Sequence, residues 1–357
     1  MKFSLRRLNA PWLIILAVAF FPVLVWQGAG AQDTYYQGKT ITLITSGAPG
    51  GGTDLTARLI ATTLPKYLPG NPRIVLRSKP GGGGSLALNP FYVRAKPDGL
   101  TLMLTSAGSI GMQFTREKVV KYDLNKMRHI GHASHGGAVV VVSNAGMKRL
   151  LDPKAEPVVC GSKGGAEAWA YLNMLGQELL GWNLRWILGF KSAGSFSLAF
   201  RRGEIDMFGD SRMIKELEQE GKGKGLAQIG IFKKRKFVRR SDFSHVPTME
   251  ELLIKAGKKP DGLAWKAYLA GVSPLSIYKL FVAPPGTPDA VMKLLVDAYE
   301  KTGRDPKFVE SWKKIIGPVL DVGAGSETTE MLADCLSAEP EVVAYMNEMR
   351  RKNGVIR

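Results

Sequence analysis

The stretch 46-SGAPGGGTD-54 follows the apolar run 41-ITLIT-45 and leads into a helical pattern. A proline and three consecutive glycines fill this strand-to-helix turn, so its backbone carries few side chains and can approach something closely. Free N–H groups at a helix start, together with the aligned peptide dipoles, favour an anion there. An ordinary tight turn capped by Thr53 or Asp54 accounts for the same residues without a ligand. A nucleotide loop does not. Gly47 and Gly52 have the spacing of G-x-x-x-x-G-K-[ST], but Thr53 stands where lysine is required. A dinucleotide fingerprint fails at 81-GGGGSL-86, where Leu86 occupies the third glycine position.

Glycine- or serine-rich turns before helical stretches recur at 80-PGGGGSLAL-88, 160-CGSKGGAEAW-169 and 191-KSAGSFSLAF-200. One such turn is weak evidence, whereas four suggest convergence on a shared cleft. In an α/β sheet these turns follow the carboxyl ends of strands, where such folds place their ligands. Strand patterns run over 40-TITLIT-45, 73-RIVLR-77, 100-LTLMLT-105, 138-AVVVVS-143, 185-RWILGF-190 and 204-EIDMF-208. Between them, 54-DLTARLIATTLPKYL-68 puts Leu55, Leu59 and Leu64 on one face, and 167-EAWAYLNMLGQELL-180 is apolar at Trp169, Leu172, Leu175 and Leu179. This alternation predicts an α/β fold, with mostly parallel sheets covered by helices, and the length suits two such units. Further on, 285-PGTPDAVMKLLVDAYEKTG-303 reads as a helix with Thr287 as N-cap and Pro288 at its first position. The helix over 326–352 breaks near Pro340, and 221-GKGKG-225 and 257-GKKPDG-262 read as exposed connections.

The N-terminus answers a question of address. Lys2, Arg6 and Arg7 precede the apolar run 11-PWLIILAVAFFPVLVW-26, and Ala29-Gly30-Ala31 supplies the small residues of a cleavage site. Residues 1–31 therefore read as a secretory signal peptide. Removing its three basic residues lowers the formal charge from +18 to +15. A secreted chain with scattered basic residues points to small anions or an anionic membrane surface, not to nucleic acid, and a merely solvated surface explains the charge equally well. Cys160 and Cys335 allow either a disulfide or two buried thiols.

Catalytic and metal patterns are weak. His129, His132 and His135 in 129-HIGHASH-135 are evenly spaced, but an extended segment between the two units would turn them to opposite faces, so no metal site is expected. The run 106-SAGSIG-111 does not spell G-x-S-x-G, and no histidine is placed to serve its serines. Trp169, Tyr171, Trp182 and Trp186 fit core and sheet packing better than a stacking platform.

Taken in order, 39-KTITLITSGAPGGGTDLTARLIA-61, 79-KPGGGGSLALN-89, 97-PDGLTLMLTS-106, 190-FKSAGSFSLAFRRGEIDMFGDS-211, 246-VPTMEEL-252 and 281-FVAPPGTPDAV-291 resemble the periplasmic solute-binding proteins of tripartite tricarboxylate transporters, the Bug receptor family. The resemblance runs from Tyr36 almost to the C-terminus. It implies a type II-like periplasmic-binding-protein fold, two α/β domains joined by crossover strands around a ligand cleft. The first domain would span 32–137 plus 274–357 and the second 138–273, with the histidine segment in the first crossover. It further implies a periplasmic monomer that binds a small organic carboxylate without a cofactor or metal and hands it to membrane permease subunits.

By the same resemblance, Ser46, Gly47, Pro49, Gly50, Gly51, Gly52, Thr53 and Asp54 form one first-domain binding loop and Gly83, Gly84 and Ser85 another, beside Thr105 and Ser106. Ser162, Gly164, Gly165, Lys191, Ser192 and Asp210 would answer from the second domain. Three departures bear on the ligand. Gly47 stands where many members carry an aromatic residue, which should enlarge the pocket or remove a stacking contact. Lys163, Ala166 and Glu167 alter a loop usually rich in serine, and Glu167 would repel a carboxylate, pair with Lys163 or sit in its helix's first turn. The region 257–279 is longer than usual. A secreted hydrolase using the same cleft, or a sensor subunit serving a receptor, are the alternative functions.

Overall fold

The computed structural model describes residues 34–211, 213–233 and 236–356; the expected signal peptide lies outside the described residues. The chain first alternates strands and helices: β1 (Thr40–Thr45), α1 (Gly52–Thr63), β2 (Arg73–Ser78), α2 (Ser85–Arg94), β3 (Thr101–Ser106), α3 (Ala107–Phe114) and β4 (Arg128–Ser134). It then crosses into β5 (Val139–Ser143), α4 (Asn144–Arg149), β6 (Val158–Gly161), α5 (Ala168–Leu180), β7 (Leu184–Ile187), α6 (Ala193–Arg201), β8 (Met207–Gly209), α7 (Ile214–Gln219) and β9 (Gly223–Gln228). A hairpin, β10 (Ile231–Lys233) with β11 (Lys236–Val238), and two helices, α8 (Met249–Lys255) and α9 (Gly262–Val272), follow. The return runs through β12 (Lys279–Ala283), α10 (Asp289–Arg304), α11 (Pro306–Ile315), β13 (Asp321–Ala324), α12 (Ser326–Leu336) and α13 (Pro340–Lys352).

Two sheets result, one per lobe. The first has the order β13-β4-β12-β3-β1-β2, with β1 parallel to β2 and β3, and β12 antiparallel between β3 and β4. The second has the order β7-β6-β8-β5-β9, with β6 parallel to β7 and β8, and β5 antiparallel to β8 and β9. The run 139-VVVV-142 is buried throughout, as expected of a strand covered on both faces. It packs with Trp169, Leu172 and Leu175 of α5 and with Phe196 and Phe208; Trp169, Tyr171 and Trp182 are buried in this core and Trp186 packs against it, so these four serve the core as their spacing predicts. In the first lobe, Ile41, Leu43, Leu102 and Leu104 meet Leu295 and Tyr299 of α10.

The expected strands correspond to β1, β2, β3, β5, β7 and β8, and the helix over 326–352 does break before Pro340. Several elements differ from expectation. Residues 223–225 of the supposed loop 221–225 pair with β5 as the start of β9. Thr287 sits one residue too early to cap α10; its hydroxyl donates to the Pro284 carbonyl (2.8 Å), and Pro288 takes the cap position. The histidine segment is strand β4 of the first sheet, with only 135–138 crossing to β5. The C-terminal helix departs from the grouping of 274–357 with the first domain. Val342, Val343, Met346 and Met349 of α13 join the second lobe's core beside α9, because that core offers the apolar surface they need. Cys160 and Cys335 are buried free thiols in different cores.

Candidate ligand-binding site

β1, β2 and β3 run parallel, so their carboxyl ends, and the turns that follow, lie at one end of the first sheet. A chain of hydroxyls ties those turns together. Ser46 Oγ and Thr105 Oγ1 share a hydrogen bond of 3.0 Å, Thr105 Oγ1 and Ser109 Oγ another of 2.7 Å, and Ser109 Oγ donates to the Gly83 carbonyl at 3.1 Å. Ser85 Oγ donates to the Gly82 carbonyl (2.7 Å). Gly81 to Gly84 all have positive φ, between 54° and 127°, a run only glycines adopt without strain. Ser106 holds the N-cap position of α3.

The turn over 46–54 is braced from behind. Buried Asp54 accepts hydrogen bonds from Gly50 N–H (2.9 Å), Ser78 Oγ (2.9 Å) and Arg58 Nε (2.8 Å). Asp54 therefore positions the loop with both carboxylate oxygens already engaged. Gly47 does not open additional space: a Cβ there would lie 2.7 Å from Thr53 Cβ and 2.9 Å from the Asp54 nitrogen. The missing side chain lets the turn close onto the start of α1, so the pocket enlargement expected at this position does not follow.

Lys279 was not among the residues the sequence reading singled out. It opens β12, is 2% exposed, and its Nζ donates to Thr53 Oγ1 at 2.7 Å. The ammonium also lies 3.7 Å from the Tyr278 ring centroid, and the His135 ring packs edge-on to Tyr278 at 3.8 Å. A lysine heading the otherwise apolar 279-KLFVA-283 is the signal that could have marked it.

In the second lobe, Ser162 Oγ donates to Glu167 Oε2 (2.9 Å) and accepts from Gly165 N–H (2.8 Å), while Lys163 N–H donates to Glu167 Oε1 (2.5 Å). Glu167, at the N-cap position of α5, is thereby committed to its own loop, where its charge suits the helix start. Gly165 has φ +72°, and Val355 of the C-terminal tail occupies the place a Cβ would need; Gly164 faces open space. The 188–192 loop joins this one through Phe190 N–H to the Ser162 carbonyl (3.3 Å), and Ser192 caps α6 in a capping box with Ser195. Lys191 is exposed. Asp210 donates its N–H to Val139 at the start of β5 (3.0 Å) and accepts weakly from Met213 N–H (3.4 Å).

Ser46, Thr105 and the Gly82–Ser85 turn thus form one connected group, and Ser162, Gly165 and Ser192 lie in two adjoining loops of the other lobe. The lobes approach where a Cβ on Gly111 of α3 would lie 3.3 Å from the Ala166 carbonyl. Gly165 faces the tail, and Asp210 lies beside the crossing between the sheets.

Among the described residues no group of three metal-ligating side chains converges. His129 and His132 do not point to opposite faces, because a bulge skips Ile130 in the pairing of β4 with β12. Both reach α12: His129 Nδ1 bonds Thr329 Oγ1 (2.9 Å), and His132 Nδ1 bonds Thr328 Oγ1 (2.8 Å). Burial lowers the pKa of both rings. Two cavities of about 380 and 400 Å³ lie along α10, α11, α12 and β13, away from the glycine turns.

No protein-family model matches the chain. Over 308 residues it is 25% identical to a UPF0065 protein of Bordetella pertussis, covering 84% of this chain and 87% of that one. Among solved structures, the periplasmic binding protein BugD superposes with a TM-score of 0.66 at 22% identity, over 90% of this chain and 99% of BugD. An R. palustris protein solved with adipate gives a TM-score of 0.63 at 18% identity, over 88% of this chain and 97% of that one. Across nearly all of its described length, the chain shares the fold of the periplasmic binding protein BugD.

Proposed function

We propose that this protein captures a small carboxylated organic anion between its two lobes and presents it to membrane permease subunits. The observation that carries this reading is the hydroxyl chain Ser46–Thr105–Ser109–Gly83, which joins three strand-to-helix turns at one end of the first sheet. Such an end offers amide donors, hydroxyls and helix N-termini, the groups that hold a carboxylate without a metal. Ser46, Gly47, Pro49 to Thr53, Gly83 to Ser85, Thr105 and Ser106 would line the first-lobe side. Ser162, Gly164, Lys191, Ser192 and Asp210 would line the second, with Asp54 and Gly165 shaping their loops from behind.

Binding is not coupled to chemistry in this reading. Closure of one lobe on the other removes the carboxylate from bulk water, and the ligand favours the closed state because both lobes contact it. The adipate bound by the R. palustris protein supports a dicarboxylate as the first ligand to try. The expected address is the periplasm, the expected state a monomer, and the expected division lies near 137/138 and 273/274 with α13 added to the second unit.

A thermal-shift panel of acetate, succinate, adipate and citrate, followed by calorimetric titration, tests the proposal. At least one carboxylate should raise the melting temperature in a concentration-dependent way. A flat response to the whole panel would overturn the reading. Replacing Gly51 with leucine should abolish the shift while leaving the circular dichroism spectrum unchanged.

A further inference from the structure

Lys279 brings to the candidate site a buried amino group, which its glycines and hydroxyls do not supply. β12 runs antiparallel to β3, so its first residue, Lys279, lies level with the last residue of β3, Ser106, at the loop-bearing end of the sheet. On its other side the backbone pairs with Ala133 of β4, which fixes the lysine in the middle of that sheet edge. The side chain is buried and ends on Thr53 Oγ1, at 2.7 Å, within the first turn of α1. Thr53 in turn fills the space above Gly47, so the lysine, the threonine and the glycine turn form one packed unit.

We propose that Lys279 makes the first-lobe loop selective for an ionised carboxylate over its neutral isostere; this rests on the carboxylate-binding reading given above. A hydroxyl that accepts from an ammonium must direct its own proton elsewhere, and a proton so polarised is a better donor to an anion than to a neutral carbonyl. The ammonium's field adds to that of the helix N-terminus, and burial limits its screening by salt. Lys279 is therefore a positioning and charge-supplying residue acting through Thr53.

Competition calorimetry with the pairs adipate/adipamide and succinate/succinamide tests this. The wild type should prefer the diacid of the pair it binds, and Lys279→Met should reduce that preference roughly ten- to a hundredfold, as expected for a lost charge-assisted hydrogen bond. A merely structural lysine would lower both affinities and leave their ratio unchanged, which overturns the inference. Thr53→Val, which keeps the shape and removes the hydroxyl, provides the same readout if Lys279→Met fails to fold. Its effect should not add to that of Lys279→Met, and full additivity would also overturn the proposal. Lys279→Arg should restore part of the preference. If the wild type binds neither diacid nor any carboxylate of the earlier panel, the carboxylate reading itself falls, and this inference with it.

Discussion

Asp54 lies in a turn whose sequence reads as ligand-facing, yet it is buried with all its hydrogen bonds directed into the protein. Burial by itself pushes its carboxyl up, but the Arg58 guanidinium, the Gly50 N–H and the Ser78 hydroxyl outweigh that and hold it below its usual range. Asp54→Ala should therefore cost about 2 kcal/mol, the scale of a charge-assisted hydrogen bond, and should free the Gly50 amide from its brace. Urea unfolding reads the first effect and ligand dissociation rate the second; an unchanged unfolding midpoint would show that the brace contributes nothing. Sequence alone cannot separate such a residue from its ligand-facing neighbours, because a short carboxylate at a helix start suits both roles. Ser46 was marked by its glycine turn, one of four such turns, whereas Thr105 was marked only by the family resemblance of 97-PDGLTLMLTS-106. Lys279 was hidden by its strand, since its partner Thr53 lies more than two hundred positions away in the chain.

At the level of elements, the four glycine turns were legible as a set, and α1, α2, α5 and α6 begin at or just after them. β4 was not, because its histidines obscure the strand pattern and a bulge breaks the two-residue alternation on which strand recognition relies. That bulge has a thermodynamic consequence. His129 and His132 are held neutral by burial against α12, while in the unfolded chain they gain a proton near pH 6.5. The unfolded state therefore binds more protons in that region, so the stability contributed by the two rings is complete above pH 6.5 and is lost as pH falls towards their folded-state values. Melting temperature should drop between pH 7.5 and 5, and His129→Gln with His132→Gln should flatten that slope. A double variant with the wild-type pH profile would assign the acid sensitivity to carboxylates instead.

For the whole molecule, the sequence indicates two α/β units but does not tell which core takes the last helix. The pattern of α13 shows that Val342, Val343, Met346 and Met349 need an apolar partner, and either lobe satisfies that requirement on paper. The structure seats it on the second lobe and ties it back to the first. Arg350, 3% exposed, pairs with Glu117 at 2.7 Å, just beyond α3, and Phe114 at the end of α3 enters the second core. The same tail places Val355 against Gly165 in the second-lobe loop, so the C-terminal segment links lobe pairing to the candidate site. Arg350→Met removes one partner of this pair, and Glu117, about a quarter exposed, can recover part of its hydration. The expected cost is about 1–3 kcal/mol, less than for a fully buried pair. Because the contact spans both lobes, its loss should also lower the steepness of denaturant unfolding as the two cores begin to melt separately. Trp312 in the first core and Trp169 and Trp182 in the second allow fluorescence to follow both together. A lower midpoint with unchanged steepness would mean that α13 stabilises the second lobe without coupling it to the first.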